Sequence, residues 1–394
     1  MIKVDVIFPA YINATIGPCG TLRRLNKHKD YIQNRGYELS IFTLDSALTQ
    51  TEGLSVDFSR GLTFRSKVKS FLGKTTLGVM IMHYKTHRQA QKVLDYYNKQ
   101  NRNADIVVFH EIGSCGQYTK YRKDGQKVVC FFHSDGTRWG MTINAHPWLK
   151  DSWWLAHLDK QINKTLRQID HYVFITKIGQ ENFLKENPFV LPEKTSFFHN
   201  GIENMPILVK EKYNKFKYNI CSVGTISHRK GQYLIIEALH SISKKVLKDI
   251  HLTLYGTGPD FEYVKKLIQQ YDLENHVFLN GNLSNSIIHE TLCRHNIFIL
   301  MSNNEGLPIS IIEAMRAGLP IISTKVSGIP EEVDKRNGIL INPDAQELTK
   351  ILEQINCFDW TYMGQQSRIR FENEFSFKKM MECYCNMLDK TTEL

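Results

Sequence analysis

No apolar run in this 394-residue sequence approaches the ~20 residues that a membrane-spanning helix requires. The longest, such as residues 297–301, are strand-sized. A secretory signal is not evident either, because Asp5 and Pro9 interrupt the N-terminal apolar residues too early, and a cytoplasmic location is the expectation. Cysteine is sparse and scattered: there are eight, none in a Cys-x-x-Cys pair, and Cys383 and Cys385 have poor spacing for a zinc knuckle. They read as free thiols of a reducing compartment. His83 and His87 stand one helical turn apart, but no third metal ligand is evident nearby, so they read as part of a basic helix face. Helix-turn-helix, zinc-finger and RNA-binding signatures are all missing, which argues against a nucleic-acid partner.

What is present is the composition of a folded protein, with 42% hydrophobic and 23% charged residues and a mean hydropathy of −0.32. The length is too great for one ordinary core and predicts two or three domains. The formal net charge of +10 is unevenly placed. Residues 1–200 hold 28 lysines and arginines against 17 aspartates and glutamates, while residues 201–394 hold 22 against 23. Ten of the basic residues lie between Arg60 and Arg102 with a single acid, Asp95. Phe64, Val68, Phe71, Leu72, Leu77, Val79, Met80 and Ile81 are interleaved with them. Such a stretch suits anionic lipid or phosphate, and equally a solvated helix face.

Short apolar runs followed by glycine-bearing or polar loops recur along the chain. Strands are predicted at residues 3–8, 38–44, 106–109, 128–132, 172–175 and 196–198, then at 218–223, 251–255, 277–279, 297–301, 320–324 and 339–341. Between the first two lie a turn at residues 17–20 and a helix over 21–34 that Gly36 stops. Helices are also predicted over 232–243 and 261–271, and Asp344 with Glu347 forms a capping box for another. Alternation of this kind builds parallel sheets, whose ligand-binding residues sit at strand ends. Two such domains in tandem are expected, joined near residue 200 by a polar, lysine-rich segment with Pro206.

The residues richest in chemistry are Ser302-Asn-Asn-Glu-Gly-Leu-Pro-Ile-Ser-Ile-Ile-Glu-Ala-Met315. A strand end feeds a polar loop, and Pro308 marks a helix start. The backbone N–H groups of Gly306, Leu307, Ile309 and Ser310 then lack helical acceptors and form an anion site. Glu305 stands at its mouth. Glu313 falls among Ile311, Ile312, Ala314 and Met315, where a carboxylate is costly without partners, such as ligand hydroxyls. A plain reading remains for each: Ser310-x-x-Glu313 as a capping box, and Glu305 as a loop acid.

The string EGLPISIIEAMRAGLPII, then SGIPEE, then NGILI, resembles the donor-binding region of retaining GT-B glycosyltransferases of family four, the glycosyl transferases group 1. Val-Gly-Thr-Ile-Ser-His-Arg-Lys-Gly231 resembles their phosphate-binding segment, Tyr-Gly-Thr-Gly-Pro259 a second glycine loop, Leu279-Asn-Gly-Asn-Leu283 the stretch that reads the base, and Phe198-His-Asn-Gly-Ile202 the turn opening the second domain. The likeness is strong over residues ~198–345 and weaker before them. It implies an α/β GT-B chain, with two Rossmann-like parallel-sheet domains facing each other across a cleft. Residues 1–199 would bind the acceptor and 200–374 the nucleotide sugar, with a C-terminal helix at about 375–394 packing back on the first domain.

The same resemblance implies the site. Glu305 contacts the donor sugar and Glu313 the ribose; Gly306, Leu307, Pro308 and Ile309 hold sugar and diphosphate. Gly224, Arg229, Lys230, Gly256, Asn282 and Leu283 complete the donor side, and Gly17 and Gly20 let backbone approach it from the first domain. His133 lies beside the reacting centre, so His133, Glu305 and Lys230 are the expected catalytic residues. Asp135 and Trp139 are acceptor candidates, since four of five tryptophans fall between Trp139 and Trp154 and flat aromatic faces stack on sugars. The family's arginine after Gly224 is replaced by Thr225, and Arg229 is the candidate substitute.

No two aspartates stand two apart, so the Asp-x-Asp with which many nucleotide-sugar enzymes hold a metal is missing and no essential metal or other cofactor is expected. The predicted activity is transfer of a sugar from a nucleotide-sugar donor, UDP by base rate, to a saccharide or lipid-linked acceptor in cell-surface polysaccharide or glycoconjugate assembly. Peripheral contact with an anionic membrane is expected from the basic half. The alternatives are a GT-B epimerase or phosphorylase, or an inactive sugar- or lipid-binding module.

Overall fold

The computed structural model describes residues 1–14, 17–48, 75–208, 216–284 and 286–393. Residues 60–74 of the basic stretch, with Phe64, Val68, Phe71 and Leu72, lie outside them, as do residues 209–215 of the expected linker. The chain divides into two units. The first comprises Met1–Ile175, Gln180–Phe198 and Met381–Leu394; the second comprises Thr176–Gly179 and His199–Met380. The main crossing falls at 198/199, and the C-terminal change of unit falls at 380/381, six residues later than the sequence suggests.

The first unit carries β1 (Ile2–Ile7), β2 (Tyr37–Phe42), β3 (Ile106–Phe109), β4 (Lys127–Phe132), β5 (His171–Phe174) and β6 (Thr195–Phe197), ordered β2-β1-β3-β4-β5-β6. The second carries β7 (Tyr218–Val223), β8 (Ile250–Tyr255), β9 (Val277–Leu279), β10 (Ile297–Leu300), β11 (Ile321–Thr324) and β12 (Gly338–Ile341), ordered β12-β11-β10-β7-β8-β9. Every strand pair is parallel. Helices cover both faces of such sheets, so central strands read as unbroken apolar runs. Ile-Val-Val-Phe of β3 and Ile-Phe-Ile-Leu of β10 are buried at every position. The second unit's core gathers Ile220, Leu252, Leu254, Ile297 and Ile299 against Leu234, Ile235 and Leu239 of the helix Gln232–Ser241. Each fully buried side chain of this kind contributes about 1.5–3 kcal/mol.

In both units the strand order reverses, between β1 and β3 and between β7 and β10. Connections leaving in opposite directions open a crevice at the carboxyl ends of those strands, where open α/β sheets hold ligands.

Three local expectations are corrected. Residues 17–20 are not a turn: they begin the helix Gly17–Lys27, which accepts Pro18 because a first-turn residue needs no N–H partner. The predicted single helix over 21–34 is two, Gly17–Lys27 and Lys29–Gln33, broken at His28. The Asp344 cap forms, accepting from the N–H groups of Gln346 and Glu347, but Glu347 reaches back to Asn342 rather than to Asp344.

Candidate functional site

The switch point of the second sheet holds the clearest constellation. The chain leaving β7 passes Gly224 and Thr225 and makes a short turn over His228–Lys230; the chain leaving β10 runs through Ser302 to Glu305. Backbone and side chains lace the two together. Asn303 N–H donates to Arg229 O at 2.8 Å, Asn303 Nδ2 to His228 O at 3.2 Å, and an Arg229 guanidinium nitrogen to Asn304 O at 2.8 Å. Glu305 is buried beneath them. It meets Lys230 Nζ at 2.6 Å, Arg229 at 3.0 Å and Ser302 Oγ–H at 2.8 Å. Burial opposes its ionisation, but Lys230, Arg229 and the Lys230 and Ser302 hydrogen bonds outweigh burial, and the carboxyl stays below its ordinary range. Glu305 is therefore an ionised acceptor with two cations already on it.

Beyond Glu305 the helix Ile309–Arg316 starts with Pro308 as its N-cap, so Ser310 lies inside the first turn and does not cap it. Ile311 N–H turns back to Pro308 O. The N–H groups of Gly306, Leu307, Ile309 and Ser310 meet no acceptor among the described residues, which leaves an anion-binding nest beside Glu305. Glu313 sits on the partly exposed side of this helix, while Ile311, Ile312, Ala314 and Met315 are buried. The apolar surroundings inferred from sequence are corrected here: residues adjacent in a helix do not share a face.

The glycine loops prove to be packed on one another. Gly224 N–H donates to Tyr255 O, Ile226 N–H to Thr257 O, and Gly256 N–H to Gly281 O. A Cβ at Gly256, whose φ is +142°, would overlap the Gly224 carbonyl oxygen, so this glycine answers to its neighbouring loop. Asn282 accepts from Thr257 Oγ at 3.1 Å, and Leu283 follows it, half-buried. Thr225 is exposed, and its carbonyl accepts from Gln232.

Two residues of the SGIPEE stretch were not singled out in the sequence. Glu331 accepts from the N–H groups of Lys177 and Ile178, each at 2.8 Å, and from His199 at 2.9 Å. Glu332 is fully buried with no hydrogen-bond partner on either oxygen among the described residues. Burial, and then the charge of Glu305, raise its carboxyl well above the usual range.

The first unit holds the remaining candidates. His133 follows β4 and pairs with His110 at 2.9 Å, a contact that sequence spacing does not reveal. Asp135 is buried and accepts from Thr137 N–H and Oγ–H at 3.1 and 2.6 Å, holding a turn. Trp139 donates to Asp159 at 2.7 Å and borders a cavity of about 720 Å³. The cavity also meets Trp154, His83, His87, His146 and Gln117. Among the described residues, no three histidines, cysteines or carboxylates are placed to hold a metal ion. Trp148 and Trp153 are exposed while Trp154 is buried. Gly20 needs no special backbone angle, and a Cβ there would meet only the Arg24 guanidinium at ordinary contact distance. Gly17 stands at the start of the same helix.

Two Rossmann-like units in one chain, the second with an acid, a basic turn and a helix start at its switch point, define the GT-B fold. Over its whole length the chain is similar in structure to sucrose-phosphate synthase from Thermosynechococcus elongatus, with a TM-score of 0.74, 16% identity and 99% of each chain covered. It is also similar to Anabaena HepE in complex with UDP, with a TM-score of 0.64, 15% identity, and 99% and 100% covered. Residues 207–356 match the family model of the glycosyl transferases group 1. An uncharacterized glycosyltransferase of Methanocaldococcus jannaschii is 29% identical over 247 residues, 59% of this chain and 62% of that protein. The next two curated relatives are covered over 49% and 41% of their lengths.

Proposed function

We propose that the protein is a retaining glycosyltransferase. It would move a sugar from a nucleotide-sugar donor, most simply a UDP-sugar, to a saccharide or lipid-linked acceptor in cell-surface polysaccharide or glycoconjugate assembly, without an essential metal. The observation that carries this reading is the ionised Glu305, held by Lys230, Arg229 and Ser302 beside the open N–H groups of the helix start.

In that reading the anion nest, Lys230 and Arg229 receive the diphosphate, and Glu305 accepts from sugar hydroxyls while Glu313 accepts from the ribose. As the glycosyl–oxygen bond breaks, its electron pair goes to the diphosphate, which those cations and N–H groups would stabilise. The sugar gains oxocarbenium character. An acceptor hydroxyl attacks from the face the diphosphate leaves, and its proton passes to the departing phosphate oxygen. His133, Gly17 and Gly20 are the first unit's proposed contributions. The cavity under Trp139 is the proposed acceptor pocket: Trp139 and Trp154 offer flat faces, and a Gln117 amide oxygen and a His146 nitrogen there lack partners among the described residues.

Purified protein incubated with a panel of nucleotide sugars, with and without chelator, should release free nucleotide from one donor. Proton NMR of the product should show the donor's anomeric configuration kept. Glu305→Ala and Glu313→Ala should each cut release at least tenfold while the protein stays folded. Full activity in both would refute the site, and release abolished by chelator would refute metal independence. Arg229→Ala should weaken donor binding about tenfold, the value of a charge-assisted hydrogen bond; unchanged affinity would mean that Thr225 has no substitute there.

A further inference from the structure

His110 and His133 follow adjacent parallel strands. The register pairs Phe109 with Cys130, which sets His110 level with Phe131 and His133 two residues further on. His110 is buried, stacked on Phe131 at 4.5 Å with an interplanar angle of 14°, and edge-on to Phe8 at 6.5 Å. Its Nδ1 lies 2.9 Å from His133 Nε2. One proton occupies that hydrogen bond, and its owner fixes both rings. If His110 Nδ1 carries it, His110 Nε2 is a bare acceptor and the His133 proton sits on Nδ1. If His133 Nε2 carries it, His110 holds its own proton on Nε2.

The surroundings choose between these. His110 Nε2 is buried and has no partner among the described residues. A buried, unpaired N–H is rarer than an under-used acceptor, and the missing bond is costly for a donor. The first arrangement is therefore favoured. A doubly protonated ring is disfavoured too: burial lowers both, His133 to about 4, and the groups packed on the pair are Phe8 and Phe131, with Tyr384 stacked behind Phe131. No acceptor among the described residues takes the remaining nitrogen of His133.

We propose that His110 is a positioning residue that locks His133 as the neutral Nδ1–H tautomer, so that His133 donates a hydrogen bond to a hydroxyl or phosphate oxygen of a bound ligand and does not act as a base. This rests on the glycosyltransferase reading only for the identity of that ligand. It also gives the pair a purpose. A neutral donor can hold an oxygen without placing positive charge beside a sugar that is itself becoming positive.

The test is a long-range proton–nitrogen NMR spectrum of the full-length protein labelled at histidine nitrogens, run beside the nucleotide-release assay. His133 should report a protonated Nδ1 and a bare Nε2; the reverse pattern overturns the proposal. His110→Phe, which keeps the stack but removes the donor, should release His133 to the Nε2–H form and lower kcat about tenfold. His110→Asn, whose amide can stand near the lost Nδ1–H, should restore much of both. If His110→Phe fails to fold, the parent spectrum still decides. An Nε2–H spectrum with normal turnover sinks this proposal alone, whereas absent turnover on every donor sinks the glycosyltransferase reading and leaves the tautomer decided by the spectrum.

Discussion

Glu305 and Glu332 share one neighbourhood and end in opposite states. Both are buried, so burial opposes ionisation of both, and the difference lies in partners. Glu305 has Lys230, Arg229 and Ser302; Glu332 has none on either oxygen among the described residues. Glu332 is thus held protonated, its folded value raised above the unfolded one. Stability from such a group is fully present below the unfolded carboxyl range, near 4, and is lost as pH rises through the folded value. Glu332→Leu removes that loss, so it should stabilise the protein by about 1–3 kcal/mol near neutrality and by less at pH 4.5. Urea midpoints across that range provide the check; a midpoint at neutral pH equal to the parent's would show that Glu332 has a partner in solution. The state of Glu332 was not readable from SGIPEE, because Glu331 and Glu332 look alike until the fold pairs the first with His199 and buries the second.

The elements themselves were largely written in the chain. All twelve strands fall within two residues of their predicted runs, most plainly β3 and β10, which are buried on both faces and so read as unbroken apolar runs. Helix ends were less legible. Pro18 permitted a helix where Gly17 and Gly20 suggested a turn, and Glu313 was judged by its neighbours in sequence when its helix turns it away from them. Glycines were ambiguous for a related reason: sequence shows that a Cβ is absent, not what would have struck it. Gly231 is a case where the fold answers. Its φ is +67°, it ends the turn His228–Lys230, and a Cβ would overlap the Met301 carbonyl oxygen at the end of β10. Gly231→Ala should therefore cost roughly 2–4 kcal/mol, above the ~1 kcal/mol typical of point substitutions. It should also weaken donor binding, because Lys230 is placed by that turn. Thermal melting and donor titration together check this, and a variant as stable as the parent would mean that the turn relaxes freely.

At the scale of the whole molecule, charge is the property that chemistry at the switch point leaves unused. The positive excess belongs to the first 200 residues, whereas the second half is nearly neutral. Among the described residues, no helix is long and apolar enough to cross a membrane. The helix Thr76–Lys99 instead carries Lys85 and Arg88 on a stretch, residues 81–88, that is exposed throughout, with Ile81, Met82 and Tyr84 among them. Exposed Trp148 and Trp153 add indoles of the kind that favour a headgroup layer. Basic and apolar groups together would draw this unit to an anionic bilayer, where each basic residue near the surface contributes about 1 kcal/mol and apolar side chains hold once contact is made. Two contributions with different salt dependence give a distinctive outcome. Pelleting with phosphatidylglycerol-containing vesicles should fall as ionic strength rises and the Debye length shortens from about 10 Å at 0.1 M. Lys85→Glu with Arg88→Glu should lower binding by more than tenfold at low salt, while Ile81→Ser with Met82→Ser should lower it at every salt concentration. Retention that ignores both salt and the charge reversal would remove the electrostatic membrane surface, and would leave the basic half to be explained by an anionic acceptor alone.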